Sequence, residues 1–258
     1  MLVNRRQVIR GLAGLPLAAV LADSRLARAA AATLEGVGLT TPSGAKVSAG
    51  IAVPAAAPAP AVLLIHEWWG LNDQIKAVAA EFAKEGYLAL AVDLFGGRVA
   101  TSPEEAKGLT ELVGKDPKAA TETLVAWLGW LKGHAKSSGK LATVGWCFGG
   151  GWSLNASLAA PVDATVIYYG NVKKAAAELK SLKGPVLGHF ATRDGWINKP
   201  MVDGFAAEMK SAGKTVTVNW YEADHAFANP TGAPYDAEGA SLAWKRTLEF
   251  LAATVKRG

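Results

Sequence analysis

The sequence holds one cysteine in 258 residues, four histidines, and charged residues at only 19%. A single cysteine excludes an internal disulfide and any cysteine-based metal ribbon. An unpaired thiol is also exposed to oxidation in an exported chain, which makes a merely space-filling Cys147 less expected. No HExxH, CxxC or other ligand spacing occurs, so no metal site is expected. Gly149-Gly150-Gly151 follows a cysteine and lacks the downstream acid of a dinucleotide fingerprint, so no cofactor is expected either. No apolar run is long enough to cross a bilayer. The candidate from Gly11 to Ala22 is short and broken by Gly14 and Pro16, which argues against stable membrane anchoring. The net charge of +5 is concentrated near the start, where five arginines face one aspartate in the first 29 residues. The remainder is near +1 and carries no basic run suited to nucleic acid.

That N-terminal segment has an order of its own. Asn4-Arg5-Arg6-Gln7-Val8-Ile9-Arg10 is a twin-arginine pattern, followed by the apolar run and by small residues around Ala27-Arg28-Ala29 that suit a signal peptidase. Residues 1–31 are therefore expected to be a removed export signal, outside the fold, with the protein periplasmic. The alternative is an amphipathic helix on the domain surface. Residues 32–258 are expected to form one domain. No feature sets an oligomeric state, and a monomer is the expectation.

Beyond residue 31 the pattern is that of an α/β chain. Gly36 to Val53 reads as a hairpin turning at Pro42-Ser43-Gly44. Apolar strands follow at Ala61 to His66, Tyr87 to Asp93, Leu141 to Gly145, Ala164 to Tyr169, Pro185 to Ala191 and Thr215 to Glu222. Amphipathic helices separate them, one opened by Ser102-Pro103-Glu104-Glu105 with a capping box, another by Asp116-Pro117. Continuous apolar strands alternating with helices predict a mostly parallel sheet covered on both faces, with its site at the carboxyl ends of the strands.

Those strand ends carry the chemistry. Gly145-Trp146-Cys147-Phe148-Gly149-Gly150 has the form of a nucleophile elbow, with a buried helix beginning by Trp152. Small residues two before and two after the nucleophile are what a strained strand-to-helix turn requires. The strand ending at Ala191 runs into Asp194, and the strand ending near Tyr221 runs into His225. Nucleophile, acid and base thus come in the order Cys147, Asp194, His225, with Asp224 as the rival acid. His66 and His189 read as structural, and His134 as exposed.

These segments resemble a known family. GWCFGG, HEWWGLN at 66–72, DLFGG at 93–97, TRDGW at 192–196 and DHAF at 224–227 are similar to the motifs of dienelactone hydrolases, across essentially the whole chain after residue 31. The resemblance implies an α/β-hydrolase fold acting on a small ester or lactone through a Cys-Asp-His triad. It also implies that Glu67 lies beside the resting thiol and moves on substrate binding so that the thiolate forms. The N–H groups of Trp68 and Phe148 would make the oxyanion hole, two donors aimed where charge develops. Trp69, Phe95, Arg98, Trp146, Trp196 and Phe227 are expected around the substrate. In family members that take small anionic lactones, a serine follows the catalytic histidine and an arginine lies four positions after it. Here those positions are Ala226 and Asn229, so a neutral or apolar acyl group is expected. A non-catalytic small-molecule binder retaining the fold is the competing expectation, and the complete triad argues against it.

Overall fold

Short runs of five to seven apolar residues leave no polar face for water, so they fold as interior strands with helices on both sides. The structure, a computed structural model, describes residues 15–256. Among these residues one eight-stranded sheet forms from β1 (Glu35–Thr40), β2 (Lys46–Ala52), β3 (Ala59–Ile65), β4 (Leu88–Val92), β5 (Ser137–Trp146), β6 (Ala164–Tyr168), β7 (Val186–Ala191) and β8 (Val216–Tyr221). The strand order is β1-β2-β4-β3-β5-β6-β7-β8. β1, β2 and β4 pair antiparallel, and every pairing from β4 through β3 to β8 is parallel. This is an α/β-hydrolase sheet with its parallel strand ends on one edge.

Two helices precede the sheet, α1 (Leu17–Ala22) and α2 (Ser24–Ala31). The others are α3 (Asp73–Lys84), α4 (Pro103–Lys115), α5 (Pro117–Gly133), α6 (Phe148–Ala159), α7 (Ala176–Leu179), α8 (Lys199–Ser211) and α9 (Ala237–Val255). Alternation along each strand divides the core. Val62 and Leu64 of β3 meet α3 and α9 on one face, while Ala61, Leu63 and Ile65 meet α5 and α6 on the other. Leu154 of α6 joins Val202, Phe205 and Met209 of α8 in a third cluster over β6 and β7.

Three features depart from the sequence expectations. α1 and α2 pack on α3 and bury Val20, Leu21, Ala27 and Ala30 against it, although residues up to 31 are expected to lie outside the domain. The twin-arginine residues Arg5, Arg6 and Arg10 lie outside the described residues. The capping box of α4 is shifted: Ser102 caps Glu105 N–H, but the Glu105 carboxylate accepts from Thr101 N–H and hydroxyl. Finally, α6 starts at Phe148 rather than near Trp152. Three consecutive glycines are poor helix formers, but tertiary packing overrides propensity here.

A buried hydroxyl cluster locks α6 onto the sheet. Ser153 Oγ donates to Val166 O (3.0 Å) and lies 2.9 Å from Thr143 Oγ1, and Thr165 donates to Ser157 Oγ (2.7 Å). Thr143 and Ser157 complete it at 2.9 Å. All four side chains are buried, and each finds a partner, which is the condition for burying hydroxyls cheaply.

Candidate active site

Between the last residue of β5 and the first of α6 the chain passes through Cys147, at φ 52° and ψ −116°. An L-residue is strained there, and the surroundings hold it in place. Cys147 N–H donates to Tyr168 O at 3.0 Å. A Cβ on Gly145 would lie on the Gly149 carbonyl, and one on Gly149 would lie on the Ile65 carbonyl. A Cβ on Gly150 would press on Tyr168 O and on the backbone of Gly170. The glycines therefore let α6 rest backbone against backbone on the ends of β3 and β6.

Asp194 follows β7 and is buried. Its Oδ1 accepts N–H groups of Trp196 (2.8 Å) and Ile197 (2.9 Å), which fixes the plane of the carboxylate. Its Oδ2 lies 2.6 Å from His225 Nδ1, and His225 Nε2 lies 3.2 Å from Cys147 Sγ. A continuous hydrogen-bonded line thus joins carboxylate, imidazole and thiol. Burial disfavours the His225 imidazolium, but the bonds to Asp194 and Cys147 and their charges outweigh it, pushing its pKa up to about 10. Burial acts on Asp194 as well, yet the bonds from His225, Ile197 and Trp196 hold its carboxyl below the ordinary range. The rival Asp224 turns outward and pairs with Arg193 at 3.4 Å.

Glu67 follows β3 and is also buried. Its carboxylate accepts from Tyr169 OH (3.1 Å) and from Asn229 Nδ2. No hydrogen bond joins it to Cys147 among the described residues. Burial raises its pKa, against the pull of Asn229, Tyr169 and the His225 charge. The preceding His66 is held neutral, with burial lowering its pKa to about 4. Its Nε2 accepts Leu94 N–H at 3.2 Å, which leaves Nδ1–H to donate to Glu67 O at 2.6 Å. His66 thereby ties the loop bearing Glu67 and Trp68 to the segment after β4. His189 is likewise structural, buried between Tyr221 OH (2.8 Å) and Thr247 Oγ1 (3.0 Å). His134 is half-buried rather than exposed, because Trp130 covers one side of its ring.

The thiol opens into a cleft of 860 Å³. Trp68 and Phe148 line it, and neither backbone N–H donates to another group among the described residues. Trp69 and Trp196 line it too, with the Trp196 ring edge-on to His225 at 5.1 Å. The other four expected pocket residues are not on its wall. Trp146 precedes the elbow on the opposite side of β5 and stacks on Tyr168 at 5.3 Å. Phe95 is buried between His66 and Phe148, behind the wall. Phe227 is fully buried and stacks on Tyr221. Arg98 donates to Phe95 O (3.1 Å) and lines a separate 320 Å³ cavity with Asp93 and Lys76. Among the lining residues that sequence reasoning missed are Trp152, Asn155, Tyr169, Asn171, Lys173 and Lys174. Most of these six follow β6, whose carboxyl end lies on the same edge of the sheet as those of β7 and β8. Among the described residues no group of three His, Cys, Asp or Glu side chains is placed to hold a metal ion. No helix of these residues is long and apolar enough to cross a membrane.

Comparison with known proteins agrees with this architecture. Residues 47–255 match the family model described as "Dienelactone hydrolase family". A putative carboxymethylenebutenolidase of Saccharolobus solfataricus is 30% identical over 244 residues, covering 81% of this chain and 94% of that protein. The carboxymethylenebutenolidase of Pseudomonas putida is 29% identical over 231 residues, covering 84% of this chain and 96% of that protein. The crystal structure of a putative dienelactone hydrolase from Klebsiella pneumoniae superposes with a TM-score of 0.75 at 27% identity, covering 85% of this chain and 98% of that one. The chain belongs to the dienelactone hydrolase family.

Proposed function

We propose that the protein hydrolyses a carboxylic ester or lactone through a thioester on Cys147. The observation that carries this reading is the unbroken line from Asp194 through His225 to a thiol on a strained elbow, open to an aromatic cleft. His225 Nε2 takes the thiol proton, Asp194 stabilises the resulting imidazolium, and the sulfur then attacks the carbonyl as a thiolate. The oxyanion of the tetrahedral intermediate accepts from the N–H groups of Trp68 and Phe148. Collapse expels the alcohol, which receives the proton from His225. Water then attacks the thioester, with His225 as general base, and the acid leaves. The relatives named carboxymethylenebutenolidase support an ester or lactone as substrate.

Glu67 requires a modified role. Its carboxylate is bonded to Asn229 and Tyr169 rather than to the thiol, which is already paired with His225. In this reading Glu67 positions the loop that carries Trp68, and the thiol needs no substrate-driven trigger. Residues 1–31, with Arg5-Arg6, are proposed to direct export through the twin-arginine route to the periplasm.

Purified protein should release alcohol from a short panel of aryl esters and lactones, and Cys147→Ala should not. Equal rates for both proteins, or none above buffer for either, would overturn the hydrolase mechanism and would favour a binding role for the cleft.

A further inference from the structure

The cleft has two ends of different character. Around the thiol its walls are Trp68, Trp69, Trp196 and Phe148. Away from the thiol, Gly151 and Asn155 of α6 line it, one and two turns beyond Cys147. At a rise of 1.5 Å per residue, Asn155 is about 12 Å along the helix from the nucleophile. The loop after β6 runs beside this stretch and approaches closely, since a Cβ on Gly151 would lie 3.3 Å from Asn171 O. The Asn171 side chain accepts Lys173 N–H at 3.0 Å, fixing the turn that brings Lys173 and Lys174 to the cleft wall. Lys174 shares its charge with Glu178 at 3.1 Å. Lys173 takes part in none of the ion pairs among the described residues. Among the described residues the one carboxyl on the cleft wall is Glu67, which is buried at the thiol end and already bonded to Asn229 and Tyr169.

We propose that this distal end is an anion subsite, so that the preferred substrates are acidic esters carrying a carboxylate roughly 6–12 Å from the scissile carbonyl. The inference rests on the hydrolase reading and names the substrate class. An apolar chain from the carbonyl passes along the aromatic wall, and its terminal carboxylate reaches Lys173, with the amides of Asn155 and Asn171 beside it. The subsite lies beyond the reach of a short anionic lactone, whose carboxylate would fall nearer the thiol. There, position 229 offers an amide already committed to Glu67.

The test uses the full chain and p-nitrophenyl half-esters of succinate, adipate and suberate. Each is compared with the neutral butyrate, hexanoate or octanoate of the same carbon count. The ratio of kcat/KM for anionic over neutral ester should rise with chain length. It should reach about five- to tenfold for suberate, the span of one exposed ion pair with charge-assisted hydrogen bonds. In Lys173→Gln the suberate ratio should fall to about 1, the loss appearing in KM for the anionic ester. Lys174→Gln should lower it less, and added salt should compress the wild-type ratio. A ratio at or below 1 at every length, or a ratio unchanged in Lys173→Gln, would overturn the subsite. So would an equal loss on anionic and neutral esters, which marks a structural role. Turnover that depends on Cys147 without any charge preference overturns this inference alone. Absence of Cys147-dependent turnover on every ester overturns the hydrolase reading with it.

Discussion

Replacing Asp194 by asparagine tests the proposed Asp194–His225–Cys147 line with little change of shape. Oδ1 of Asp194 accepts two backbone N–H groups, from Trp196 and Ile197, so the amide oxygen of asparagine must occupy that position. The NH2 group then faces His225 Nδ1, where the carboxylate Oδ2 now sits at 2.6 Å. A donor at that point forces Nδ1 to accept, and the ring proton moves to Nε2, 3.2 Å from Cys147 Sγ. In that tautomer His225 cannot take the thiol proton. The substitution also removes the carboxylate that helps push His225 up to about 10. The wrong tautomer costs about 10⁴-fold in serine triads, so kcat/KM on an aryl ester should fall about 10³- to 10⁴-fold, or about 4–5.5 kcal/mol in the barrier. Both N–H bonds to the residue survive, and the melting temperature should move by only a few degrees. Initial rates beside a thermal melt decide the matter. A folded Asp194→Asn enzyme within tenfold of wild type would refute the roles of Asp194 and His225.

Three further outcomes follow from the same structure. Glu67 has its pKa raised by burial, so its contribution to stability is complete below about pH 4.5 and is lost as pH rises through the raised folded value. Glu67→Gln should therefore gain in melting temperature relative to wild type as pH rises above about 4.5, and a difference that does not change with pH would contradict the assignment. Gly149→Ala should cost more than about 3 kcal/mol by driving a methyl onto the Ile65 carbonyl. By contrast Gly108→Ala, exposed in the middle of α4 with open space around it, should stabilise by about 0.5–1 kcal/mol. Chemical denaturation of the two variants should show opposite signs. Replacing Arg5-Arg6 by two lysines should leave an uncleaved precursor in the cytoplasm, and normal processing of that variant in cell fractions would remove the twin-arginine route.

The sequence was most legible where chemistry and chain geometry coincide. Asp194 and His225 stand out because each lies in the loop just past a strand, and strand ends converge on one edge of a parallel sheet. The start of α6 was not legible, because three glycines argue against a helix while the close backbone contacts they permit are long-range. Trp146 and Phe227 failed as pocket residues for a local reason. Trp146, next to Cys147 at the end of β5, points to the opposite side, while Phe227 lies beyond the turn at Ala226 (φ 66°), and both pack into the core cluster that α9 joins. Lys173 and Lys174 lie just past β6, where the strand-end rule points, but no residue type in that segment suggests a role. Only the approach of the Asn171 backbone to Gly151 brings that loop to the cleft. The docking of α1 and α2 on α3 was hidden by a signal-like composition, in which alanines that suit a peptidase also suit close helix packing.

The backbone-on-backbone seating of α6 gives divergence within this scaffold a direction. Where a helix meets a sheet through side chains, one substitution can be absorbed by its neighbours, and a pocket can drift in small steps. At Gly145, Gly149, Gly150 and Gly170 there is no side chain to yield, so the floor that carries the thiol admits almost no intermediate variants. The opposite rim, with the exposed Trp196, Ala233 and Pro234, touches the same cleft without bearing the helix. A new substrate preference is reachable through the rim one residue at a time, while the floor stays as inherited. Libraries confined to those rim positions should keep most members folded, and libraries at the four glycines should lose nearly all.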